Sequence, residues 1–160
     1  MPTLYLLRHA KAEKAVKHAW DPAEDRNRPL TAGGMADAVA VGRWFRTHQL
    51  IPGLALVSPA KRTLQTWQLA ANELAASLPI RVEEALYEAS VEDLLRVVRA
   101  LPPQFTSALI VGHDPSLSDF LGVEMATCSL ARFELAEWRT LAPEPPGVKL
   151  RRIRSEDKDA

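Results

Sequence analysis

The sequence predicts an α/β fold in three layers, a mostly parallel central sheet flanked by helices on both faces. Two observations carry this. Short β-rich runs recur along the chain, and between them the apolar spacing lengthens to three and four residues, the period of helices that lay one stripe on a sheet. The first run, Thr3 to Leu7, predicts a strand. From Lys11 to Pro29 the chain is polar without a convincing period, and its length is unusual for a passive connection, so residues 11–29 read as an active-site loop. Thr31 before Gly33-Gly34 marks the start of a helix striped by Ala38, Val41 and Phe45. Leu54 to Val57 is the second strand, and Leu64, Trp67, Ala71, Leu74 and Leu78 stripe the helix after it. Ser90 with Asp93 three residues on is a near capping box for a helix carrying Val91, Leu94, Val98 and Leu101, stopped by Pro102-Pro103. Strands follow at Ser107 to Val111 and Ser129 to Leu135, then a surface turn at Ala142 to Gly147 and a weaker strand at Val148 to Ile153. The basic cluster Arg151-Arg152-Ile153-Arg154 reads as an edge strand guarded by charge.

No repeat, low-complexity tract or long linker divides the 160 residues, so one domain over 1–160 is expected, with a polar tail from about 155–160. The 20 Lys and Arg balance the 20 Asp and Glu, which argues against a nucleic-acid partner, since affinity for a polyanion needs an excess of basic charge. A single cysteine, Cys128, rules out an internal disulfide and a multi-cysteine zinc site. The amino terminus has only a four-residue apolar run with no basic segment before it, so neither a leader nor a membrane span is expected. The expected location is cytoplasmic.

In sheets of this class ligands bind outside the carboxyl ends of the strands. Three strand ends carry the reactive residues: Arg8-His9-Ala10 after the first, Ser58-Pro59 leading to Arg62 in the first turn of a helix after the second, and Gly112-His113-Asp114 after that of Ser107 to Val111. A cation is unfavourable at a helix start by the dipole rule, so Arg62 there points to an anionic partner. For a phosphoryl ligand the set makes chemical sense. Guanidinium forks bind the oxygens at any working pH, and a neutral imidazole is a nucleophile for phosphorus. A second, protonated histidine would stabilise the charge that develops in transfer, a role open to His113. No metal and no cofactor are expected, since no His-x-x-x-His or cysteine cluster is present. Ser58 and Cys128 lack any nucleophile signature and read as structural. His18 and His48 read as surface histidines, and Trp20 either caps the site or packs.

Five segments in order, Leu6 to Glu13, Arg28 to Gly34, Ser58 to Thr66, Leu86-Tyr87-Glu88 and Val111 to Ser116, resemble the histidine phosphatase superfamily, the phosphoglycerate mutase-like fold. Its signature begins Arg-His-Gly; here the third residue is Ala10. The Arg-His-Ala variant, the Arg-Pro-Leu-Thr segment and the short chain are similar to the SixA-type phosphohistidine phosphatases, which remove phosphate from histidine on signalling phosphotransfer domains. The resemblance implies that His9 is the nucleophile that becomes phosphohistidine, in a phosphate pocket formed by Arg8, Arg62 and His113. Glu88 falls at the position of a general acid, with Glu83 and Glu84 close enough to compete, and SixA-type members differ at this position. Arg28 is a further phosphate or substrate contact. The residues 126–129 lie where a small polar turn borders the pocket. The substrate is thus expected to be a phosphorylated protein, with a small phosphorylated metabolite as the alternative and a catalytically inert phosphate-binding module as a third reading. A short chain leaves little room for insertions over the pocket, which favours an open site and a protein substrate.

Overall fold

The computed structural model describes residues 1–16, 19–74 and 77–157. His18 and residues 158–160 of the tail lie outside them. Six strands form one sheet: β1 (Thr3–Arg8), β2 (Ala55–Val57), β3 (Ile80–Val82), β4 (Ser107–Gly112), β5 (Ser129–Glu134) and β6 (Lys149–Arg152), in the order β3-β2-β4-β1-β5-β6. The pairs β2 with β3, β2 with β4 and β1 with β4 are parallel; β5 and β6 join antiparallel, so the sheet is mixed and mostly parallel.

Alternation along the strands builds the three layers, because successive side chains point to opposite faces. Leu4, Leu6, Leu56, Ala108 and Ile110 face one core, which α4 (Val91–Arg99) and α5 (Ser116–Leu121) cover with Leu94, Leu95, Val98, Leu117 and Phe120. Tyr5, Leu7, Val57, Leu109 and Val111 face the other, covered by α2 (Ala32–Thr47) and α3 (Lys61–Ala71) with Ala38, Val41, Phe45 and Trp67. Each large side chain buried here contributes about 1.5–3 kcal/mol.

The expected helix starts are present. The Thr31 hydroxyl accepts from the Gly34 amide, and the Ser90/Asp93 capping box has both of its hydrogen bonds. Gly34 is required for a second reason: a Cβ there would collide with the Lys11 carbonyl, which also accepts from the Thr31 amide at 3.0 Å. That close approach ties the start of α2 to the chain leaving β1.

The structure differs from the pattern reading in three places. The polar segment 11–29 contains a short helix, α1 (Pro22–Arg26), capped by Asp21 and with Pro22 at its first position. α3 ends at Ala71, short of Leu74 and Leu78, and its most buried face is Thr63, Thr66, Trp67 and Ala70. The two threonines tolerate burial because their hydroxyls donate back to the Ser58, Ala60 and Arg62 carbonyls. β3 is three residues long and exposed throughout, so it carried no pattern to find.

Candidate active site

Parallel register brings the three strand ends level. Arg8 pairs with Gly112 and Val57 with Val111, so the residues that follow leave the sheet side by side. The His9 amide donates to the Gly112 carbonyl and the Ser58 amide to the Val111 carbonyl, both at 3.1 Å. The His9 and His113 rings consequently lie 5.3 Å apart, and α3 carries Arg62 to the same crevice. His9, Arg62 and His113 are 8%, 6% and 7% exposed, an unusual depth for groups of this kind.

The hydrogen bonds define the state of His9. Its Nδ1 lies 2.6 Å from the Ala10 carbonyl oxygen, which can only accept, so Nδ1 carries the proton and Nε2 holds the lone pair. Burial, with the Arg62 and Arg8 charges adding to it, pushes His9 down to about 4. His113 Nε2 and Ser58 Oγ share a hydrogen bond of 2.7 Å, and burial together with His9 and Arg62 pushes His113 down to about 3. Both rings are neutral near pH 7. The protonated His113 invoked from sequence is therefore not the resting form; a bound dianion would supply the charge that favours it.

Three cations surround this pair. Arg8 donates to the Met125 carbonyl at 2.8 Å and approaches Asp114 at 3.5 Å. Arg62 donates to the Asp25 carbonyl at 2.7 Å and to Asp25 Oδ2 at 3.2 Å. Arg28 forks onto Asp25 Oδ1 at 3.0 and 3.2 Å and donates to the Glu13 carbonyl at 2.8 Å. Among the described residues, Arg8 Nε, Arg62 Nε and His113 Nδ1 are buried with no hydrogen-bond partner in the protein. Unsatisfied buried polar atoms are costly, and three belonging to one crevice suit an anionic ligand.

Asp25, from α1, was not singled out by sequence. Burial by itself raises its carboxyl, but hydrogen bonds from Tyr87, Arg28 and Arg62 outweigh this and hold it below the ordinary aspartate value. The Tyr87 hydroxyl donates to Asp25 Oδ2, and burial with that bond raises the phenol to about 12, so it stays a donor. The Tyr87 ring meets His113 edge-on at 5.9 Å, and the Arg26 guanidinium lies over the Tyr87 ring, 4.4 Å from its centroid, while pairing with Glu84. The signal that could have revealed α1 is Asp21-Pro22, a capping residue followed by proline at the first helical position.

The remaining candidates are placed as follows. Glu88 is exposed, with φ of 54°, at the rim near Tyr87 and Arg26. Glu83 is half-buried and its amide donates to the Val57 carbonyl. The turn at 126–129 does border the pocket: the Cys128 amide donates to the Arg8 and His9 carbonyls. The Cys128 thiol is buried and raised to about 12 by that burial, an inert group. Ser58 has a part after all, as the partner of His113. His48 stacks on Trp44 at 4.3 Å, away from the crevice, and Trp20 is 65% exposed, which removes the packing reading for it. Among the described residues no group of three or more His, Cys, Asp or Glu side chains is arranged to hold a metal, and no helix is long and apolar enough to cross a membrane.

Comparison with known proteins gives the same chemistry a family. The model of the histidine phosphatase superfamily (branch 1) matches residues 4–98. An uncharacterized protein of Mycobacterium leprae (strain TN) is 30% identical over 112 residues, 70% of this chain and 66% of that one. Among solved structures, a protein assigned as the phosphohistidine phosphatase SixA of Nakamurella multipartitia superposes with a TM-score of 0.73 at 26% identity, covering 96% of this chain and 95% of that one. Another SixA assignment, from Agrobacterium tumefaciens, gives 0.71 at 28% identity over 82% and 91%. A family match over more than half of the chain, on a fold shared with these structures, shows that the protein belongs to the histidine phosphatase superfamily (branch 1).

Proposed function

We propose that this protein is a phosphohistidine phosphatase that clears phosphate from a histidine of a signalling phosphotransfer protein, through a phosphohistidine formed on its own His9. The observation that carries the reading is the His9 tautomer: Nδ1–H is tied to the Ala10 carbonyl, leaving the Nε2 lone pair free on a ring that lies 5.3 Å from that of His113 and feels the Arg62 and Arg8 charges. Nε2 bonds to phosphorus as the bond from phosphorus to the substrate nitrogen breaks; water then attacks phosphorus, the bond to Nε2 breaks and inorganic phosphate leaves. Arg8, Arg62 and Arg28 hold the phosphoryl oxygens, and His113, positioned by Ser58, stabilises the developing charge. Glu88, at the rim, is the carboxyl offered to the leaving group. It matters less for a P–N bond, which is labile once its nitrogen is protonated, than for an alkyl ester. The Arg8-His9-Ala10 and Arg28-Pro29-Leu30-Thr31 segments and the two SixA-assigned neighbours above 25% identity support this substrate over a small metabolite. A phosphotransfer substrate implies a cytoplasmic enzyme, and the two-step transfer through His9 calls on no cofactor.

The test is phosphate release from a phosphorylated histidine phosphotransfer domain and from an aryl phosphate, for wild type and His9→Ala. Release from both, lost by about 10⁴-fold or more in His9→Ala, is expected. A large preference for the phosphorylated domain fits the proposal, whereas equal or better turnover of the aryl phosphate favours a metabolite phosphatase. No release by folded wild-type protein overturns the reading in favour of a binding module.

A further inference from the structure

Building on the reading of His9 as nucleophile, we infer that Asp25 is a positioning residue: its carboxylate, oriented by the Tyr87 hydroxyl, fixes Arg62 and Arg28 for phosphoryl transfer while weakening the resting grip on phosphate. The first support is its company. Asp25 Oδ1 accepts from Arg28 Nε and Nη2 at 3.2 and 3.0 Å, and Oδ2 accepts from Arg62 Nη2 at 3.2 Å and from the Tyr87 hydroxyl. A carboxylate has about four acceptor sites, so this one is filled and acts on the pocket rather than on a ligand. Arg62 is clasped twice by the same residue, since its Nη1 donates to the Asp25 carbonyl at 2.7 Å. Bonds to both terminal nitrogens set the plane of a guanidinium, here with the buried Nε unpartnered among the described residues.

The second support is what α1 supplies. None of its five residues is buried, so it adds nothing to either core. Its contacts run to the site instead: Asp25 to Arg62, Arg28 and Tyr87, and Arg26 to Glu84 and onto the Tyr87 ring. Arg26 over its face and His113 at its edge hold the ring that carries the orienting hydroxyl. The third support is charge. A carboxylate in contact with Arg62 offsets that cation and repels a phosphate dianion, so it opposes binding. Such a placement favours rate over affinity, because a misplaced guanidinium costs most where charge develops in the transition state.

The experiment compares wild type, Asp25→Asn, Tyr87→Phe and the double variant. Values of kcat are measured on the phosphohistidine domain and on an aryl phosphate, and the dissociation constant of inorganic phosphate by calorimetry. In Asp25→Asn, kcat is expected to fall about tenfold on both substrates while inorganic phosphate binds about threefold more tightly. Tyr87→Phe keeps the ring and the Asp25 charge, so it should lower kcat about threefold with phosphate affinity unchanged, a test that stands even if Asp25→Asn does not fold. The double variant should be no slower than Asp25→Asn, since the hydroxyl acts through the carboxylate. A structural prop would instead lose kcat and phosphate affinity together. That result, an unchanged kcat in Asp25→Asn or in Tyr87→Phe, or additive losses in the double variant overturns the inference. Aryl phosphate turnover with the expected pattern but none of the phosphohistidine domain would sink the proposed substrate and leave the role of Asp25 standing. Wild-type protein inactive on both would sink the reading of His9 and this inference with it.

Discussion

The two ends of the sheet make opposite use of arginine. At the amino-terminal end of the strands a cleft of about 340 Å³ is lined by Pro2, Arg99, Leu101, Trp138 and Arg139. Its polar groups are spent: Arg99 donates twice to the Leu141 carbonyl, at 2.7 and 3.0 Å, the Trp138 indole donates to the Phe105 carbonyl, and Arg139 pairs with Glu137. At the carboxyl-terminal end Arg8 and Arg62 each keep a buried Nε without a partner among the described residues, beside two imidazoles forced neutral. What separates the ends is the satisfaction of their polar groups. Chemistry belongs where burial has been imposed on groups that the protein does not itself fully solvate, because those groups gain most from an anion.

Arg62→Ala sharpens this contrast most. It removes a buried cation from the phosphate pocket and is expected to lower kcat/KM by about 10²–10³-fold in a steady-state assay. Acid should then distinguish the ends thermodynamically. His9 and His113 lie at about 4 and about 3 when folded, below the roughly 6.5 of an unfolded histidine, so the unfolded chain takes up protons first as pH falls. Stability is full above about pH 6.5 and is lost progressively as pH falls through about 4, at about 1.4 kcal/mol per unit for each group over its window. Urea midpoints against pH would show that slope, and millimolar inorganic phosphate should flatten it by favouring the protonated rings. An unchanged slope in His9→Ala would break the assignment.

Arg99→Ala is the control at the other end. It should cost about 1–2 kcal/mol in a denaturant titration and leave kcat/KM within about twofold, since a satisfied arginine there supports packing alone. Glu88→Gln is the smallest effect expected, below about tenfold on the phosphohistidine domain and larger on an alkyl phosphate. Equal large losses on both would make Glu88 an obligatory acid.

Arg8, His9, Arg62 and His113 were legible from the linear chain because each follows an apolar run or opens a helix, and a strand's end is set by its neighbours in sequence. Asp25 and Tyr87 were not. Asp25 sits in a five-residue helix inside a polar stretch, where no period marks a buried face. Its partners Arg62 and Tyr87 are separated from it by 37 and 62 positions. Ser58 reads from sequence as structural, with no nucleophile motif around it; which residue it supports is decided by the parallel register of β2 with β4, which brings it to His113. β3 left no trace, being a short edge strand with nothing to bury.

Local rules of spacing, capping and chain direction therefore determined the layers, the strand ends and the types of reactive group at each of them. Tertiary structure alone decided their protonation and their company. A pKa depends on how much water surrounding elements exclude and which charges they bring near, and an ion pair between segments far apart in sequence depends on the path of the whole chain. The neutral His113, the Nε2 lone pair on His9 and the carboxylate of Asp25 among its arginines are properties of the packed molecule.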